Sequence, residues 1–147
     1  VNGIRLVLDF GHNPHGVSAM LAMARRMLNE SPGGRLCVSF AQAGDRSDDD
    51  IQKLARTACQ YEPDLVIIRN VRGYERGRSE NEVQELIRAT LLEEGMSPDA
   101  VMLRDDELQT LEAGFEWARP GDLIVILVHL QREQVHQWLS AYRHSEE

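Results

Sequence analysis

The sequence holds only two cysteines in 147 residues. One possible pair cannot make the disulfide framework of a small secreted domain. Cys37 and Cys59 each sit in an apolar strand or helix pattern, which predicts a reduced, cytoplasmic protein with two buried thiols. Long hydrophobic runs are also missing. The longest, Leu123 to Val128, is far short of the roughly 20 residues that cross a bilayer, so no membrane partner is expected. No secretory signal opens the chain, and no initiator Met precedes Val1, which suggests a segment of a longer protein. Positive charge is in deficit, with a net charge of −8, and this argues against a nucleic-acid partner, whose phosphates require a broad basic face. Neither of the familiar phosphate-binding glycine patterns, G-x-G-x-x-G or G-x-x-x-x-G-K-[ST], occurs.

What remains is the composition of an ordinary globular domain, 42% hydrophobic and 27% charged. Short β-branched runs alternate with segments of helical period. Strands are expected at 4–9, 35–40, 65–69, 100–103 and 123–128, the third and fifth being almost continuously apolar, as when helices cover both faces of a parallel sheet. Helices are expected at 15–29, 48–61, from a Ser79/Glu82 capping box to Gly95, at 105–118, and at about 133–143. Pro14 suits a first helical turn, and Ser47 or Asp48 suits an N-cap. Five strand–helix units imply an α/β fold, a Rossmann-like open, mostly parallel sheet with helices on both faces. No linker or repeat divides it, so residues 1–147 form one domain. In such sheets ligands lie beyond the carboxyl ends of the strands, which directs attention to 9–15, 41–48, 69–79 and 128–132.

The first of these loops is Asp9-Phe10-Gly11-His12-Asn13-Pro14. A carboxylate at a strand end can accept ribose hydroxyls, a helix N-terminus favours an anion, and His12 and Asn13 can donate to a nucleotide. Asp9 and Asn13 as simple helix caps fit equally well. In Gly44-Asp45-Arg46-Ser47-Asp48-Asp49-Asp50 the spacing is not that of a calcium loop and reads as a cap with a solvated acidic turn, although Asp45 and Arg46 lie just past a strand. The loop from Arg69 to Ser79 carries Arg69, Arg72, Arg76 and Arg78. Its guanidinium groups suit a carboxylate or phosphate, or else pair with Glu75, Glu80 and Glu82 at the surface. His129 follows the last strand and can face the same cleft, but no ligand spacing supports a zinc site from His12, His15 and His129. His136, His144, Trp117 and Trp138 read as helix-surface or helix-contact residues.

These residues also carry a resemblance. The turn at Asp9–Pro14 resembles the D-Y-[AG]-H-N-P turn that opens the C-terminal domain of Mur ligases, folylpolyglutamate synthetases and cyanophycin synthetases. Gly44-Asp45-Arg46 looks like the family's G-D-R. Arg76-Gly77-Arg78 with Glu82 is similar to the R-G-R of cyanophycin synthetases, and Pro120-Gly121-Asp122 to the P-G-D before the last strand. The family's G-K-G-H-E is replaced by Val128-His129-Leu130-Gln131-Arg132-Glu133, and D-N-P-R appears only as Arg69-Asn70-Val71-Arg72, which points towards the cyanophycin branch. The resemblance implies a third domain that closes over ATP and Mg2+ held mainly by a central domain of the same polypeptide. Asp9, His12 and Asn13 would then lie at the nucleotide. Arg72, Arg76 and Arg78 would face an amino-acid or peptide substrate, with Asp45, Arg46 and His129 in the cleft. It implies ATP-dependent ligation, possible only in the full-length protein, such as arginine addition to an aspartate backbone. A homo-oligomer is left open. The competing expectation is a stand-alone flavodoxin- or receiver-like binding module, although Arg69 and His129 occupy the places where a receiver has its aspartate and lysine.

Overall fold

The computed structural model describes residues 3–9, 14–30, 33–41, 46–70, 76–79, 81–127 and 131–145. Five parallel strands, β1 (Arg5–Asp9), β2 (Leu36–Phe40), β3 (Leu65–Arg69), β4 (Val101–Arg104) and β5 (Leu123–Leu127), form one sheet in the order β1-β5-β2-β3-β4. Helices α1 (Pro14–Asn29), α2 (Asp48–Gln60), α3 (Glu82–Glu93), α4 (Glu107–Trp117) and α5 (Arg132–Ser145) connect and follow them. The expected fold class is the one observed.

Side-chain alternation along each strand divides the core in two. Val38, Phe40, Val66, Ile68, Val125 and Leu127 face α1, α2 and α3. Cys37, Leu65, Ile67, Ile124 and Ile126 face α4 and α5 on the other side. The three central strands are therefore buried at every residue, whereas edge strand β1 is only half-buried. Cys37 and Cys59 belong to opposite layers and are free thiols. Burial pushes both thiols up in pKa, above all that of Cys37.

Local chemistry explains most boundaries. Ser47 caps α2 by accepting the Asp50 N–H at 3.1 Å, and Asp106 caps α4 by accepting that of Gln109 at 2.8 Å. Gly95, at φ +103°, ends α3, with the Met96 N–H returning to the Leu91 carbonyl. The expected Ser79/Glu82 capping box does not form. Asn81 is the cap residue, left-handed at φ +69° and without a side-chain cap bond, because the Glu82 carboxylate is engaged by Arg78 instead. A single 3-10 turn at Pro98–Ala100 was not anticipated.

The amino ends of the strands are tied by a clasp. Asp122, almost fully buried, accepts the main-chain N–H groups of Arg35 (2.9 Å) and Arg119 (2.8 Å) and the Arg35 guanidinium (2.7 Å). Arg35 also lies 3.9 Å above the Trp117 ring. Burial pushes the Asp122 carboxyl up, but the bonds from Arg35 and Arg119 outweigh it and hold the carboxyl below the usual range. A Cβ at Gly34 would stand 2.2 Å from the Gly121 carbonyl oxygen, so only glycine fits there. The Pro120-Gly121-Asp122 motif is thus an architectural element at the end of the sheet away from the ligand crevice.

Candidate functional site

The strand order sets where a crevice opens. β1 leads into α1 on one face, and its neighbour β5 leads into α5 on the other. Adjacent strands whose connections leave to opposite faces part at their carboxyl ends, the usual ligand position in open α/β sheets. Asp9, the last residue of β1, is in register with Leu127, the last residue of β5, so its half-buried carboxylate stands at this point. Alternation places Asp9 with Arg5 and Val7 on the α1 side, and α1 has no acidic residue in its first turn to occupy its positive end. A strand-end carboxylate that leads into the N-terminus of a helix fits a ribose with its adjoining phosphate. His12 and Asn13, expected beside it, lie outside the described residues, as do Asp45, Arg72 and His129.

The arginine loop divides into two kinds of residue. Arg76 is exposed in a turn at φ +54°. Arg78 is largely covered and forms a staple: its guanidinium contacts Asp48 (2.7 Å) and Glu82 (2.7 Å) and donates to the Arg46 carbonyl (2.9 Å). The hydrogen bonds it donates to Asp48 and then Glu82 raise its pKa further, so it stays charged. Arg78 therefore joins the loop after β2 to the start of α3, bringing together two of the motifs singled out in the sequence. The acidic turn at Asp48 is not merely solvated, since it is half of this staple.

Arg69 departs from the expectation of a loop arginine. It is 3% exposed and pairs with equally buried Glu107 at 3.2 Å, while also donating to the Leu127 carbonyl. Desolvation lowers its pKa, and Glu107 and Asp106 oppose that shift. Glu107 passes its other oxygen to the main-chain N–H of Gln131 at 2.6 Å, and the Gln131 side chain accepts the Leu108 N–H at 3.0 Å. Nothing local in the sequence singles out Glu107 or Gln131, which read as an ordinary first-turn acid and a loop glutamine. Close by in the sheet, Ser39 is wholly buried, and its hydroxyl has no hydrogen-bond partner among the described residues. Among the described residues no group of three His, Cys, Asp or Glu side chains is placed to hold a metal ion, and no helix is long and apolar enough to cross a membrane.

The chain is an open parallel α/β domain with a carboxylate at its topological switch point. The family follows from comparison: residues 1–128 match the model of the Mur ligase, glutamate ligase domain, and the chain belongs to that family. It is 30% identical over 127 residues to a UDP-N-acetylmuramoyl-L-alanyl-D-glutamate–2,6-diaminopimelate ligase of Corynebacterium glutamicum, covering 82% of this chain and 22% of that protein. To a UDP-N-acetylmuramate–L-alanine ligase of a Ruegeria species it is 26% identical, over 86% of this chain and 26% of the relative. Among solved structures, a murein peptide ligase from Psychrobacter arcticus superposes with a TM-score of 0.65 at 20% identity, over 96% of this chain and 28% of that one. The chain thus spans about a quarter of the length of these relatives.

Proposed function

We propose that this chain is the closing domain of an ATP-dependent carboxylate–amine ligase, with Asp9 as acceptor for the ATP ribose. The observation that carries this reading is the Asp9 carboxylate at the β1/β5 switch point in a chain of the Mur ligase family. In such a reaction a substrate carboxylate oxygen attacks the γ-phosphorus of ATP, giving an acyl phosphate and ADP. An amine then attacks the acyl carbon, the amide bond forms, phosphate leaves and the amine gives up a proton. On this reading the domain contributes position and electrostatics after closing against a central domain of the same polypeptide, which holds most of the phosphate and Mg2+ contacts. His12 and Asn13 accompany Asp9 at the nucleotide. Asp45, Arg46 and His129 border the cleft. Arg72 and Arg76 face the amino-acid or peptide substrate, with Arg78 as the anchor of their loop. The relatives' names describe ligases of UDP-N-acetylmuramoyl compounds, and they lend the cyanophycin reading no support; it rests on Arg76-Gly77-Arg78 with Glu82 and on the departures at 69–72 and 128–133.

The test is Asp9→Ala in the full-length protein. The Michaelis constant for ATP should rise about tenfold or more, as for loss of a charged hydrogen bond, with the melting temperature changed by no more than a few degrees. An unchanged ATP dependence would reduce Asp9 to a structural residue.

A further inference from the structure

We propose that Arg69 and Glu107 are positioning residues that fix the carboxyl end of β5 and the start of α5 beside Asp9. This rests on the ligase reading, and it moves Arg69 from the substrate loop, where its sequence position suggested it, to the foundation of the site.

The geometry carries the inference. A buried ion pair adds little net stability, because desolvating two charges costs about what their attraction returns. In this chain, however, both partners also reach main-chain groups at the crevice. Arg69 donates to the carbonyl of Leu127, whose Cα partner across the sheet is Asp9. Glu107 accepts the N–H of Gln131, just ahead of α5. The Gln131 side chain in turn accepts the Leu108 N–H, so the starts of α4 and α5 clasp each other. One pair from β3 and α4 thereby holds two main-chain points, the end of β5 and the residue just ahead of α5. Gln84, on α3, extends the same pattern by donating to the carbonyls of Ile68 and Arg104 at 2.9 Å each, which pins the ends of β3 and β4. Fixing strand-end carbonyls in place is what a site built by domain closure requires, since misplacement by about 1 Å costs up to about a hundredfold in rate.

The experiment is the double variant Arg69→Met/Glu107→Leu in the full-length protein, which removes both charges together and leaves neither buried alone. Hydrogen–deuterium exchange at the Leu108 and Gln131 amides should rise about tenfold or more, and kcat/KM for ATP should fall about tenfold or more, through a lower kcat together with a higher Michaelis constant. A folded double variant with unchanged exchange at these amides, or with raised exchange but unchanged kcat/KM, overturns the positioning role while Asp9→Ala can still support the ligase reading. Absence of ATP-dependent ligation by the unsubstituted protein overturns both. Should the double variant not fold, Gln131→Ala, which leaves the buried pair intact, should give the same changes at smaller amplitude, and no change overturns the proposal.

Discussion

At the scale of single residues, the chain sets its charged groups to different work at the two ends of the sheet. Asp122 is the clearest case at the amino end, where its depressed carboxyl pKa makes stability depend on acid. Its contribution is complete above the ordinary aspartate value of about 3.9 and is lost as pH falls through the lower folded value. Asp122→Asn should therefore lower the melting temperature at neutral pH and flatten its decline between about pH 4 and pH 2. Calorimetry across that range checks this, and parallel curves for variant and parent would rule it out. Legibility at this scale was uneven. Asp9 was recognisable because a strand-ending carboxylate ahead of a proline-led helix is a local pattern. Arg69 was misread because its partners Glu107 and Leu127 lie far along the chain and meet it only through the sheet order. Cys37 is buried, as its apolar setting suggested, whereas Cys59, expected to be buried too, is only partly covered.

At the scale of elements, all five strands and all five helices were foreseeable, because hydrophobic period and turn residues are local. The continuous apolar runs of β3 and β5 announced strands covered on both faces, and both are buried at every position. Boundaries failed where one residue's conformation decided them. Asn81 at φ +69° displaced the cap expected at Ser79, and Pro98 began an unforeseen 3-10 turn. The Arg78 staple shows how elements are then joined, linking Arg46 and α2 to α3 through exposed carboxylates. Exposed pairs of this kind contribute about 1 kcal/mol or less. Arg78→Ala should accordingly shift the melting temperature by only a few degrees. It should raise proteolysis between residues 46 and 48, measurable by limited digestion and mass spectrometry. A large loss of stability would contradict a local role for the staple.

At the scale of the whole molecule, the partition is between a stabilising end of one sheet and the end where the site is proposed. The Asp122 clasp and the tight approach of Gly34 to Gly121 close the amino side. Asp9 and the Arg69–Glu107 pair stand on the carboxyl side. The sequence contains neither phosphate-binding glycine pattern, and the described residues offer no metal cluster. On the proposed division of labour, and with the chain spanning about a quarter of its relatives' length, the 147-residue chain by itself is expected to turn over no ATP, whereas the full-length protein should do so in the presence of its amino-acid substrate. A phosphate-release assay on the two proteins separates these outcomes, and turnover by the chain alone would refute the division of labour proposed above.

The strand order has one more consequence, for the time course of folding. β5 is the last of the five strands to leave the ribosome, yet it is inserted between β1 and β2 and is the strand that β1 pairs with. Arg5–Asp9, made before the other four strands, must wait for Leu123–Leu127 before its backbone finds a ladder. Contacts of such sequence separation form slowly. The strand that presents Asp9 should thus be among the last parts to settle during synthesis, leaving an unpaired edge for chaperones to cover until then.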